Sequence, residues 1–168
     1  VANGRTVDCR AVVSNGNLLS TIHDLVGDEH FTAEFLAGVR EVRLSNSSCQ
    51  VYLGIRPGER LPDIGDLLFT STHPEFDSEA LCAPVVTSRT FSVYYPSIRP
   101  GSDGYTVVAS MNARHEDWAG YDRAGYRAAK DRLAEDTLDA LERYVPGIRG
   151  IVDYTEAATP RTFARYTL

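Results

Sequence analysis

A chain of 168 residues is long enough to bury one hydrophobic core, and 43% apolar with 24% charged residues excludes both a disordered acidic tail and a membrane-embedded protein. The net charge of -6 and a pI near 5.2 exclude a general binder of phosphate backbones, which needs a basic stripe, so no nucleic-acid partner is expected. Val1–Arg10 is too polar for a signal peptide and no apolar run reaches membrane-spanning length, which leads to the expectation of a cytoplasmic chain.

In chain order, the turn signal Asn3-Gly4 and the apolar run Cys9-Arg10-Ala11-Val12-Val13, closed by Ser14-Asn15-Gly16-Asn17, predict strand, turn, strand and polar loop. Asn17 is positioned to cap a helix with Leu18, Ile22, Leu25 and Val26 at helical spacing and Gly27 as its stop. Thr32–Leu36 reads as a short helix ended by Gly38, and Val39, Val42 and Leu44 read as part of a strand. A second strand places Cys49, Val51, Leu53 and Ile55 on one face. Arg56-Pro57-Gly58 and Leu61-Pro62-Asp63 break it into a surface loop.

Asp66–Thr72, Thr90–Tyr95 and Tyr105–Met111 are rich in β-branched or aromatic residues and bounded by breakers, which predicts three more strands in one largely antiparallel sheet. Pro74–Leu81 is a short helix or loop, and Pro96–Gly104 a connection. Tyr121–Val145 carries the strongest helical pattern, with Ala134, Leu138, Leu141 and Val145 on one face and Pro146-Gly147 as its end. Ile148–Thr155 returns as a strand, and Thr159-Pro160 opens a last helix as N-cap and first helical residue. The expected fold is α+β, a mixed, largely antiparallel β-sheet with one long packing helix and shorter helices.

Candidate chemistry is sparse. Cys9, Cys49 and Cys82 are an odd, widely spaced set among apolar neighbours, expected as buried free thiols in a reducing compartment. His23, His30, His73 and His115 have no zinc-ligand spacing, no CxxC or HExxH occurs, and no metal is expected. His115-Glu116-Asp117 has groups suited to proton transfer, yet a charge cluster before a long helix is usually solvated surface. No G-x-S-x-G elbow marks a serine hydrolase, and the sequon Asn46-Ser47-Ser48 has no secretory context.

Three passages acquire meaning together: Gly4–Asn17 (GRTVDCRAVVSNGN), Ser48–Gly54 (SCQVYLG) and Val145–Arg165 (VPGIRGIVDYTEAATPRTFAR). In order and spacing they resemble the FAD-dependent oxidoreductase family of phytoene desaturases, carotenoid isomerases and retinol saturases. Gly16 and Asn17 depart from its pattern, standing where that family usually has alanine and aspartate. The resemblance implies a substrate domain from a longer flavoprotein. Residues 1–17 would be the edge of the FAD-binding domain, 18–158 the substrate-binding domain, and 159–168 the start of the return to the FAD-binding domain. It further implies that Ser14 and Asn15 lie near the cofactor in the longer protein, which would bind FAD and a carotenoid-like or retinoid-like apolar substrate. The remainder of the FAD-binding domain would be the chain's partner, and the longer protein would touch a membrane peripherally.

No G-x-G-x-x-G turn occurs in the sequence. The expectation is accordingly a fragment that neither holds FAD nor catalyses hydride removal by itself, with no catalytic residue assigned. On the residues alone, Val12–Asn15 is a hairpin strand ending in a turn and Thr159–Thr162 a helix cap. The apolar strand positions Val51, Leu53, Phe91, Val93 and Val107 are candidates for lining a cleft, although alternation of this kind more often marks core. A non-catalytic module that encloses a small apolar ligand and an interaction domain are the competing readings.

Overall fold

The computed structural model describes residues 4–42, 45–98, 101 and 103–167. The chain divides into two compact units, Val1–Leu44 with Thr167–Leu168, and Ser45–Tyr166. In the first, Asn17 caps α1 (Leu18–Ser20) by accepting the Ser20 N–H at 3.1 Å, and the helix widens into a π-helical segment over Thr21–Val26. Gly27, at φ +99°, closes it with its N–H on the Ile22 carbonyl at 2.9 Å. A single 3₁₀ turn, Asp28–His30, is tied back by the 2.5 Å contact of His23 Nδ1 with Asp28 Oδ1. Thr32 then caps α2 (Ala33–Arg40), accepting the Phe35 N–H at 3.2 Å.

Three expectations for this unit are corrected. Residues 4–15 form no strand: Val7, Val12 and Val13 are exposed, Val13 at 96%, and Asn3 lies outside the described residues. Two short strands without a third to cover their apolar side are marginal in water, so alternation alone does not make a hairpin here. α2 does not stop at Gly38, because an interior glycine costs only about 1 kcal/mol and the next residue, Val39, is buried. Val39 is thereby helical, Val42 lies beyond the helix outside any strand, and Leu44 falls outside the described residues.

The second unit contains the sheet. Its strands are β1 (Ser47–Ile55), β2 (Leu67–Ser71), β3 (Ser88–Tyr94), β4 (Thr106–Ala113) and β5 (Val152–Ala158). They stand in the order β2-β3-β4-β1-β5, antiparallel at every pairing. The four expected strands of the sheet are all present.

Register explains the core. Directly paired residues share a face, so Cys49↔Met111, Val51↔Ala109 and Leu53↔Val107, with Phe91↔Ala109 and Val93↔Val107 from the next pairing, put one continuous apolar surface on one side. α5 (Arg123–Glu142) covers it with Leu133, Leu138 and Leu141, joined by Val145 and Ile148. Val51, Leu53, Phe91, Val93 and Val107 are therefore packed core, the commoner meaning of such alternation. The expected helical face is correct in Leu138, Leu141 and Val145, all buried, with Ala134 packed against the cluster.

Capping sets the ends. Asp122 accepts the Gly125 N–H at 2.7 Å at the start of α5, and at its end the Glu142 carboxylate accepts the Gly147 N–H at 2.6 Å. Gly147 sits at φ +85°, and Ile148–Ile151 is a helical turn, α6, rather than the first half of the expected strand. The reason is local: the Ile148 N–H bonds the Val145 carbonyl and the Gly150 N–H bonds that of Gly147, which reverses the chain before β5 begins at Val152. Two short helices interrupt the strand order, α3 (Ser78–Leu81) between β2 and β3 and α4 (Glu116–Ala119) between β4 and α5, and α7 (Pro160–Thr167) follows β5.

Thr159 precedes α7 as expected, but its hydroxyl is spent on Tyr126 at 2.7 Å, while Thr162 Oγ1 accepts the Thr159 N–H at 3.1 Å. Arg161 stacks over the Tyr126 ring at 4.4 Å. This cluster clamps the start of α7 to the first turn of α5. No helix among the described residues is long and apolar enough to cross a membrane.

Candidate functional site

The second face of the sheet is built from the alternate positions of the same strands. Gln50, Tyr52 and Gly54 of β1 pair with Ala158, Glu156 and Tyr154 of β5, and on the other side with Ser110, Val108 and Thr106 of β4. Thr90 and Ser92 of β3 continue it to Phe69 and Leu67 of β2. Tyr52, Gly54 and Val108 are half-buried, and Phe69, Tyr154 and Glu156 are exposed. This surface is hydroxyl-rich and studded with aromatic rings.

At one end it forms a recess of about 420 Å³ lined by Tyr52, Leu53, Gly54, Thr106, Tyr154 and Glu156. Gly54 makes the recess possible: a Cβ there would stand 3.0 Å from the Cβ of Tyr154. The absence of a side chain lets β1 and β5 approach closely, just where the β1/β5 register shifts between Gly54 and Ile55. Tyr154 donates its hydroxyl to Glu156 Oε2 at 2.5 Å, and Tyr52 donates to Gln50 Oε1. The hydrogen bond to Glu156, with lesser contributions from burial and from the carboxylate charge, holds the Tyr154 phenol above its ordinary range. A recess lined by two tyrosines, with Thr106 and Glu156 as further polar groups, suits a flat, largely apolar ligand.

The sequence-predicted cofactor residues lie elsewhere, in the first unit. Ser14 and Asn15 are exposed, and Ser14 Oγ shares a 2.8 Å hydrogen bond with Thr21 Oγ1 and accepts the Gly16 N–H at 3.2 Å. These two residues make a turn ahead of α1 and by themselves offer no glycine-rich cradle for a diphosphate. Nothing in their geometry assigns them a role toward a flavin.

The cysteines divide by environment. Cys49 is buried on the covered face and burial pushes its thiol up to about 12, so it is unreactive near neutrality. Cys82 is half-buried, and Cys9 is exposed, against the expectation of burial, because the segment that carries it forms no strand. All three are free. Among the described residues no group of three or more histidine, cysteine or acidic side chains is placed to hold a metal.

Tyr52, Gly54, Tyr154 and Glu156 were not singled out as site residues by the sequence. The signal existed for two of them: in Val51-Tyr52-Leu53-Gly54 the positions between the apolar ones must face away from the core. Tyr154 and Glu156 had no such signal, because the start of their strand was set by a helical turn invisible to alternation.

No family model and no solved structure matches the chain. Across 97% of its length it is 27% identical to phytoene desaturase (lycopene-forming) of Pseudescherichia vulneris, of which it covers 34%. Across 99% it is 22% identical to prolycopene isomerase, chloroplastic, of Daucus carota, of which it covers 27%. The chain thus spans about a third of the length of the curated relatives it matches, or less. At this level of identity the similarity supports a distant relationship to these two proteins.

Proposed function

We propose that this chain is the substrate-binding portion of a longer FAD-dependent oxidoreductase of the phytoene desaturase type, acting on a long, conjugated, apolar molecule such as a carotenoid or retinoid. The observation that carries the proposal is the similarity along nearly the whole chain to two carotene-converting proteins, each about three times as long or more. The second face of the sheet supports it, since a broad surface with aromatic rings beside a backbone floor suits an extended hydrocarbon. In this proposal residues 1–17 border the FAD-binding domain, 18–158 bind substrate and 159–168 lead back to the FAD-binding domain. Ser14 and Asn15 approach the cofactor only when the rest of that domain is present.

The flavin would accept a hydride, and the protein would bind, orient and keep water from the substrate. The described residues of this chain do not by themselves form a site for the flavin. What they supply is a surface. Tyr52 and Tyr154 flank a planar chain, and Gly54 lets it lie against the backbone.

The test uses the longest natural protein that contains this sequence. Purified with FAD, it is expected to show flavin absorbance and to convert phytoene or prolycopene, and Tyr52→Ala and Tyr154→Ala are each expected to raise KM more than they lower kcat. A full-length protein that binds no flavin but still takes up a small apolar ligand would replace the proposal with a non-catalytic carrier.

A further inference from the structure

The covered face of the sheet contains one residue that does not belong to an apolar core. Arg89 alternates with Phe91 and Val93 along β3 and pairs across to Thr70 of β2, so its side chain enters the side occupied by α5. It is only 8% exposed. Its two hydrogen bonds are long, Nε to Thr137 Oγ1 at 3.4 Å and Nη1 to the Val86 carbonyl at 3.4 Å, and Nη2 has no hydrogen-bond partner among the described residues. No carboxylate among the described residues lies within ion-pair distance of it.

A guanidinium has five donors in a planar fork, and burying it without a counterion is costly. The strand pattern gives no structural reason for a cation here. Thr137, fully buried, donates its hydroxyl to the Leu133 carbonyl at 2.7 Å, and its oxygen accepts from Arg89 only at the long 3.4 Å separation.

Arg89 does not end in solid core. It lines a cleft of about 580 Å³ between the Pro84–Val86 segment, α4 and α5, whose walls are mainly Val85, Trp118, Tyr121, Ala129 and Leu133. Small residues of α5, Gly125 and Ala128, keep the opening wide. The other charged groups of the lining are Asp117, Arg132 and Asp136. Asp136 and Arg132 are exposed, whereas Asp117 is half-buried with Arg114 near enough to feel its charge. Among the charged residues of the lining Arg89 is thus the most buried and is incompletely bonded, while Asp117 Oδ2 is buried without a hydrogen-bond partner among the described residues.

We infer that this cleft is a binding site for amphipathic carboxylates, Arg89 receiving the carboxylate while Trp118, Tyr121 and Val85 hold the apolar body. A bidentate carboxylate is the anion whose two oxygens match the fork, and the aromatic walls select an acyl or aryl tail over a small inorganic ion. Asp136 and Asp117, the two acidic residues of the lining, oppose the anion through space and set a ceiling on affinity. The site lies on the opposite side of the sheet from the surface proposed for the conjugated substrate and stands independently of that reading.

Trp118 is the only tryptophan in the sequence, which makes the site self-reporting. Sodium dodecanoate, titrated below its micellar range into the 168-residue chain, is expected to change Trp118 emission saturably, with dodecanol weaker by at least about tenfold, the loss expected for an unpaired buried charge. Arg89→Gln is expected to bring dodecanoate down to the dodecanol level. Asp136→Asn, an exposed substitution that leaves the core intact, is expected to tighten dodecanoate by about twofold to fivefold at low salt, with the gain shrinking as salt is added. Equal binding of dodecanoate and dodecanol, an absence of saturable change, or a looser Asp136→Asn complex would overturn the assignment. The last result decides even where Arg89→Gln does not fold.

Discussion

The two faces of one sheet obey different rules. On the covered face, Cys49, Val51, Leu53, Phe91, Val93, Val107 and Ala109 are sealed against α5, and each is specified by what surrounds it. On the other face, Gln50, Tyr52, Thr90, Ser92, Thr106 and Ser110 occupy the alternate positions of the same strands and stay partly exposed. The difference teaches that apolar alternation fixes which side is core, whereas the side left over is where chemistry is free to vary. Arg89 is the exception, a charge on the sealed side, and it opens onto a cleft.

The contrast is tested most severely by truncation. Leu141→Ala, at a fully buried position, is expected to cost about 3 kcal/mol in urea unfolding, whereas Val108→Ala on the second face should cost about 1 kcal/mol or less. Equal losses would show that the second face is packed as tightly as the first.

A second test uses pH. The Cys49 thiol has a folded pKa of about 12 against 9.0 ordinarily, so the folded state keeps its proton longer and alkali favours unfolding. Its contribution is flat below pH 9.0 and falls by about 1.4 kcal/mol per unit between there and about 12. Comparing the chain with Cys49→Ala at pH 8 and 10.5 should show a shallower alkaline loss for the variant, about 2 kcal/mol over that interval. Parallel losses would mean that the thiol is not sealed.

Gly54 sharpens the comparison on the other side. Gly54→Val places atoms where Tyr154 Cβ already stands, with an expected cost of about 1–2 kcal/mol. Adding Tyr154→Gly, which removes that Cβ, should recover part of that loss, a coupling that a double-mutant cycle measures directly. The smallest effect belongs to Tyr154→Phe. Removing an exposed hydroxyl should change stability by no more than about 0.5 kcal/mol while deleting one high-titrating phenol from the alkaline absorbance curve.

Much of this fold was legible because it is local and periodic. The strand around Val51, the helix through Leu138 and Leu141, and the Asn17 and Thr159 starts each announce themselves within a few residues. What escaped was whatever depends on partners distant in sequence. Residues 9–13 have the composition of a strand and form none, since no neighbouring strand accepts them. Ile148–Ile151 is as β-branched as a strand and turns helically because Gly147 reverses the chain. The recess between Tyr52 and Tyr154 brings together two strands about a hundred residues apart, and the Arg89 cleft requires knowing that Arg89 of β3 meets Thr137 of α5. Neither is written in spacing.

The order of the strands also has a consequence for how copies of the chain meet. β5, at one border, carries Asp153 and Glu156, charges that discourage a foreign strand from adding on. β2, at the other, is five residues long without a single charge, and its Phe69 is 73% exposed. Backbone pairing between copies of the chain would therefore begin at Leu67–Ser71 rather than at β5.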